Sequence, residues 1–273
     1  MQALLEHPAV QGGALPLVVA LIVAAALCRT RYAWLAVVAG YATMIALTSG
    51  FSVTPLTAAR KVMLVVVLSA GVGMFADLAP RTSRALAVAV AIAAGIVAPW
   101  VFLSVLSQRE GTSGYAIGAG IGVFVAMMVY AVTRQRDDGL RAGAAGVGLG
   151  LAAGIAAVLS ASIGFLLAGI AIAASAGAVL LAQVLLSRNL AAGFTGTLPI
   201  AMAAALFTVG TMLLAELKWY VLPLLLLVAA AVALPVPERA PRIVRAAMLV
   251  AYALFAAAIP ILAAWYAARG SLS

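Results

Sequence analysis

Few side chains in this sequence could carry out acid–base or metal chemistry. The 273 residues include one histidine, His7, and one cysteine, Cys28. A zinc, copper or haem site needs such ligands in the right place, and a hydrolytic serine or cysteine needs a histidine beside it. The sequence also lacks the phosphate-binding pattern G-x-x-x-x-G-K-[ST]. We therefore predict that the chain is not an enzyme and uses no cofactor.

The acidic residues argue against ion coupling. All seven fall at or near the ends of apolar stretches: Glu6, Asp77, Glu110, Asp137, Asp138, Glu216 and Glu238. An ion-coupled carrier usually keeps a charged residue near the middle of the membrane, at a cost of ~2.5–3.5 kcal/mol. The positions of these acids disfavour proton coupling through a buried carboxylate.

Mildly polar side chains and prolines remain as candidates for substrate contact or gating. They are Tyr41, Thr43, Pro99, Thr195, Thr197, Pro199 and Pro260. In the segment 195–199, Pro199 leaves the backbone carbonyl one turn back without its helical donor. A neighbouring hydroxyl can donate to this carbonyl, or it can contact a ligand instead. The alternative is that each hydroxyl bonds only its own helix. Pro99 and Pro260 are expected to kink their helices.

A nine-residue motif occurs twice. Residues 77–85, DLAPRTSRA, return as residues 238–246, ERAPRIVRA, with six of nine positions keeping their type. Two arginines one turn apart can clamp an anion, so one hypothesis is that the motif contacts lipid phosphate or a partner protein in the cytoplasm. The residues concerned are Asp77, Arg81, Arg84, Glu238, Arg242 and Arg245. The alternative is a capped, positively flanked helix start, with Pro80 and Pro241 in the first turn.

The elements that carry these residues are membrane helices. The chain is 67% hydrophobic and 8% charged, with a mean hydropathy of +1.23, which excludes an ordinary water-soluble domain. A helix needs ~20 mostly apolar residues to cross a bilayer. We predict an all-α polytopic bundle of ten spans near residues 10–28, 33–51, 61–78, 85–106, 115–133, 142–160, 164–187, 191–214, 219–236 and 244–267. The apolar stretch 142–187 is too long for one crossing, so a turn is predicted around Ser160, Ser162 and Gly164.

The repeated motif predicts an internal duplication. Spans 1–4, within residues 1–108, would form one parallel repeat, and spans 7–10, within residues 164–273, the other. Residues 109–163 would form a central hairpin of spans 5 and 6. Both of its helices carry glycines spaced by four: Gly114, Gly118 and Gly122, then Gly146, Gly150 and Gly154. This spacing predicts close backbone packing of the two spans, against each other or against the repeats, with a ligand-lined groove as the alternative.

The basic residues predict the orientation. Eleven of the sixteen Lys and Arg side chains fall in connections after odd-numbered spans, and five fall on the other side. The positive-inside rule then places both termini outside, in the periplasm if this is a bacterial inner-membrane protein. The same rule explains the formal charge of +9 without nucleic acid as a partner. The first apolar run lacks a basic leader, so we expect it to be retained as a span.

Two functions fit these features. The first is a permease-like or flippase-like protein for a neutral or amphipathic small molecule or lipid, because a duplicated bundle without catalytic groups suits transport. The second is a non-catalytic subunit that anchors or assembles a larger membrane complex, for which the cytoplasmic arginine motif would supply contacts. The expected partners are the lipid bilayer and, under the second hypothesis, another membrane or cytoplasmic subunit.

Overall fold

The chain forms an all-α polytopic bundle, as predicted. A computed structural model describes residues 7–51, 54, 56–79, 84–108, 113–237 and 239–270, and all regular secondary structure in these ranges is helical. The helices are α1 (Val10–Leu27), α2 (Leu35–Thr48), α3 (Ala58–Asp77), α4 (Arg84–Val101, continued by one turn at Leu103–Leu106), α5 (Ser113–Thr133), α6 (Gly139–Leu159), α7 (Ile163–Leu185), α8 (Gly193–Leu214), α9 (Val221–Ala231) and α10 (Arg242–Gly270).

Eight helices in the described ranges are long and apolar enough to cross a membrane. The exceptions are α2, with 14 residues, and α9, which is interrupted at Leu225. At ~1.5 Å per residue, α2 is ~21 Å long, whereas the hydrocarbon core is ~30 Å thick. In α9, Pro223 lies in the first turn, and the helix is interrupted two residues further on, at Leu225. The predicted spans 33–51 and 219–236 are therefore longer than the helices that form there.

The predicted turn within residues 142–187 is confirmed. Helix α6 ends at Leu159, α7 begins at Ile163, and Ala161 between them has a φ of 62°. The two helices approach closely at Gly150 and Gly169. A Cβ added to Gly150 would lie 2.7 Å from the Gly169 carbonyl oxygen, and one added to Gly169 would lie 2.6 Å from the Gly150 oxygen. The missing side chains allow this contact between backbones.

The glycines of α5 have a different partner from those of α6. In the described residues, α5 packs on α4 and α8, while α6 packs on α7, α8 and α10. Pro99 of α4 lacks an N–H, which leaves the Gly95 carbonyl without its helical donor. A Cβ at Gly122 would lie 2.8 Å from that Gly95 oxygen, so only glycine fits. Of the two packings that the sequence left open, the described residues show the one against the surrounding helices.

Helix α8 is the centre of the bundle. It packs against α2, α3, α5, α6 and α7, and nearly all its residues from Phe194 to Thr211 are buried. A helix that is apolar all round can lie in the middle of a bundle, because none of its faces needs water. Every polar side chain that projects from α8 must therefore find its partner inside the protein.

The connections after α1, α3, α5, α7 and α9 meet at one end of the bundle, called here the arginine-rich end. The Trp34 indole N–H donates to the Leu190 carbonyl at 2.9 Å. The Arg136 carbonyl accepts from the N–H of Gly193 at 3.0 Å. Arg141 donates to the Val232 carbonyl at 2.6 Å. These bonds link four of the five connections, directly or through an adjoining helix end. Asp77 links the fifth connection, which follows α3, to the others. The duplication and the bounds of the three predicted domains stay predictions.

Candidate functional site

The threonines of α8 bond within the protein rather than line a cavity. The Thr197 hydroxyl donates to the Gly193 carbonyl at 2.6 Å. Thr208 and Thr211 donate in the same way to carbonyls four residues earlier, each at 2.7 Å. In lipid such bonds satisfy the hydroxyl locally. For these side chains the structure shows the helix-bonded alternative.

Thr195 makes a contact of another kind. Asp77, the last residue of α3, accepts hydrogen bonds from the Phe194 N–H at 2.8 Å, the Thr195 N–H at 2.9 Å and the Thr195 hydroxyl at 2.6 Å. The carboxylate thus lies at the N-terminus of α8, where the helix dipole and unpaired N–H groups stabilise a negative charge. The sequence placed Asp77 near the start of span 4, and the structure shows that it caps a helix far away along the chain.

Gly193 makes this cap possible. Its φ is 59°, a conformation that favours glycine, and a Cβ there would collide with the Asp77 carboxylate. On the neighbouring loop, the guanidinium of Arg136 lies 5.0 Å from the centre of the Phe194 ring. The start of α8 is therefore held by groups from both the α3 end and the connection between α5 and α6.

The other predicted substrate or gating residues do not converge on one cavity. Tyr41 is fully buried, with its ring centre 5.9 Å from that of Phe207, and its hydroxyl has no hydrogen-bond partner among the described residues. Thr43 donates to the carbonyl of Ala39 at 2.9 Å. Pro199 is buried within α8, and Pro260 is buried within α10. Pro99 lies in α4, on the side that faces α5. A role for these residues in binding or gating stays a prediction.

The two copies of the arginine motif lie in different surroundings. Arg81 and Glu238 are outside the described residues, while Arg84 begins α4 and is exposed. Arg242 begins α10, and Arg245 one turn later lies 3.9 Å from the Asp138 carboxylate. Asp138 also caps α6, because it accepts from the N–H groups of Leu140 and Arg141. The second copy therefore contributes to a polar network with the connection between α5 and α6.

A lateral groove lies at the opposite end of the bundle, between α5, α8 and α9. It encloses about 930 Å³, within the size range of drug-like ligand sites. Apolar side chains line most of it, including Phe124 and Met127 of α5 and Leu222 of α9. The polar residues Glu216 and Lys218 lie at its end, in the connection between α8 and α9. Trp219 borders the groove and is 72% exposed.

The geometry of the groove follows from the short helix α9 and a glycine of α5. Helix α9 begins only at Val221, after a connection of six residues from the end of α8, and carries Pro223 on the groove wall. Gly120 also faces the groove, and a Cβ there would have no atom within 4 Å. Sequence reasoning missed this groove, although the proline and the charged pair in residues 216–223 marked the place.

All four described acids lie at helix ends or in connections, as predicted.

The fold and these sites define an integral, multi-pass all-α membrane protein. No family model, curated protein or solved structure matches the chain.

Proposed function

We propose that this chain is a permease-like or flippase-like protein that binds an amphipathic small molecule or lipid in the groove between α5, α8 and α9. The groove itself carries the proposal. Its walls are apolar, and its end holds one carboxylate and one ammonium group, Glu216 and Lys218. An amphipathic molecule matches this arrangement, with its apolar part along α5 and its polar group near the charged pair.

The exposure of the groove walls indicates access from the side. Val123 is 60% exposed and Met127 is 51% exposed, so in a bilayer both would border lipid. A molecule that already lies in the membrane could thus enter without crossing water. At the other end of the bundle the connections are joined by the hydrogen bonds of Trp34, Asp77 and Arg141. This arrangement is compatible with a carrier closed on one side.

We also propose an orientation in the membrane and the absence of a catalysed reaction. We place the arginine-rich end in the cytoplasm, because basic connections are retained on that side, and both termini outside. We further propose that the chain catalyses no reaction, since the described residues near the groove supply a carboxylate and an ammonium group but no activated nucleophile. In a bacterium the location would be the inner membrane.

Filling the groove tests this function. The full chain would be reconstituted in vesicles of phosphatidylethanolamine and phosphatidylglycerol. The vesicles would contain a trace of phosphatidylethanolamine labelled with nitrobenzoxadiazole on one acyl chain. Dithionite would then bleach the label in the outer leaflet. We expect faster loss of protected label than in empty vesicles. Gly120→Phe should slow the exchange several-fold, because the ring would occupy the groove. Gly71→Phe is the matched control, since a Cβ at Gly71 also has no atom within 4 Å. Equal exchange in both variants would contradict the proposal.

One observation favours the second function, an assembly subunit. A shallow apolar depression of about 570 Å³ lies between α4 and α5, bordered by the exposed side chains of Ile96 and Tyr115. A transmembrane helix of another protein could pack there, because Gly114 and Gly118 leave room for its backbone. Purification in mild detergent followed by native mass spectrometry decides the point. A stoichiometric partner that is lost with Gly118→Phe would support assembly.

A further inference from the structure

A polar cavity of about 210 Å³ lies at the arginine-rich end, on the far side of the bundle from the groove. Three segments form it: the connection between α5 and α6, the end of α7, and the start of α10. Its lining residues are Asp137, Asp138, Leu140, Gln183, Arg188, Asn189, Arg242 and Arg245. The cavity thus brings Arg242 and Arg245, which are one turn apart in sequence, together with a third arginine from another part of the chain.

The charges around this cavity are not balanced by its own carboxylates. Asp138 is held by Arg141, whose Nε lies 3.2 Å from Oδ2. Asp137 lies 3.8 Å from the Nε of Arg136, and its side chain is 87% exposed. Counting both of these arginines with the three of the cavity, and taking only the residues that the structure describes, five positive charges face two negative ones. The local surplus is therefore three positive charges.

The three cavity arginines keep donors free for another group. Arg188 donates from Nη1 to the Cys28 carbonyl at a distance of 3.5 Å, a long bond from one of its five N–H groups. Arg242 makes no ion pair with any described residue. Arg245 lies 3.9 Å from Asp138, but its Nε is buried and donates to no described group.

The wall of the cavity contains a second buried donor. Gln183 is 1% exposed, and its Oε1 accepts from the Leu190 N–H at 3.3 Å. Its Nε2 is buried and has no hydrogen-bond partner among the described residues. A buried amide donor without an acceptor costs about 1–3 kcal/mol. Two such donors bordering one electropositive cavity indicate an acceptor that binds there.

We infer that this cavity binds a phosphate group, either from a lipid headgroup or as free phosphate. Guanidinium groups bind phosphate oxygens through two parallel N–H donors, and a tetrahedral anion can accept from several directions at once. Arg242 and Arg245 from the start of α10 and Arg188 from the connection after α7 surround the anion, and Gln183 Nε2 donates from the buried wall. The inference does not depend on the groove or on transport.

Binding measurements on the full-length protein test this inference. The protein in neutral detergent would be titrated with inorganic phosphate at constant ionic strength and followed by microscale thermophoresis. In parallel, nanodiscs of phosphatidylcholine with or without phosphatidic acid would be analysed by native mass spectrometry for retained lipid. Saturable phosphate binding would identify free phosphate as the source. Retention of phosphatidic acid with weak phosphate binding would identify a lipid headgroup. Either result supports a phosphate site.

Three variants locate the site. Arg242→Gln should weaken binding about tenfold, because it removes one charged hydrogen-bond donor from an exposed position that the fold does not need. Gln183→Glu keeps the side-chain shape but places a carboxylate in the wall, and it should abolish binding. Arg31→Gln is the matched control: it removes the same charge from the same end, but Arg31 lies over the Tyr32 ring and outside the cavity.

Two results would overturn the inference. One is no saturable binding of either probe by the unmodified protein. The other is an equal loss of affinity in Arg242→Gln and Arg31→Gln, which would show that phosphate affinity depends only on the net charge of the protein. Should Gln183→Glu fail to give a monodisperse protein, Arg242→Gln and its rescue by Arg242→Lys still decide the question.

Discussion

The carboxylate of Asp77 accepts two hydrogen bonds from Thr195, one from its N–H at 2.9 Å and one from its hydroxyl at 2.6 Å. The two residues are 118 positions apart in sequence. This contact ties the end of α3 to the start of α8, the most buried helix of the bundle. It satisfies backbone donors that the first turn of any helix leaves unpaired.

Removing this carboxylate should destabilise the protein. We expect Asp77→Ala to lower the free energy of unfolding by about 2–3 kcal/mol, because it leaves the Phe194 and Thr195 N–H groups without acceptors. Thermal unfolding in detergent, followed by intrinsic fluorescence, measures the effect. Asp137→Ala is the control, since that side chain is exposed and makes only a 3.8 Å contact. A similar melting temperature for both variants would argue against the cap.

The threonines of α8 should differ in their tolerance of valine. Thr208→Val removes only a bond to the carbonyl of its own helix, so we expect a change below about 1 kcal/mol. Thr195→Val removes a donor to the Asp77 carboxylate, and we expect a loss of about 2 kcal/mol. The measurement is the apparent unfolding free energy in mixed micelles. A larger effect at Thr208 than at Thr195 would contradict the assigned bonding.

The contact between α6 and α7 should not accept a methyl group. Gly169→Ala would place a Cβ 2.6 Å from the Gly150 carbonyl oxygen, so we expect destabilisation by about 1–3 kcal/mol through overpacking. Gly71→Ala is the control, because its added Cβ meets open space and alanine favours a helix. In the same detergent, the melting temperature should therefore fall for Gly169→Ala and rise for Gly71→Ala. Stabilisation by Gly169→Ala would show that the helices are further apart.

Cysteine labelling should reveal the orientation. In a Cys28→Ser background, Arg31→Cys marks the arginine-rich end and Trp219→Cys marks the opposite end, and both positions are exposed. We expect a membrane-impermeant maleimide to label position 219 but not position 31 on intact cells, because basic connections are retained in the cytoplasm. Labelling of both positions after lysis is the control for accessibility. The reverse pattern on intact cells would place the termini inside.

Hydropathy predicted much of the architecture because membrane insertion depends on the local composition of each segment. The ten helical segments, the turn at residues 160–162 and the location of the described acids at helix ends all follow from runs of apolar residues and the charges between them. The lengths of α2 and α9 did not follow. In α9, the helix is interrupted at Leu225 within a stretch that remains apolar.

The sequence by itself determined that this is an all-α membrane protein with few groups capable of acid–base chemistry, since composition and spacing are properties of the chain alone. Only the tertiary structure decided which helix Asp77 caps, that Gly122 packs on Gly95, and that Arg188 joins Arg242 and Arg245 around one cavity. These contacts join residues far apart in sequence. They depend on how closely backbones approach, which hydropathy does not encode.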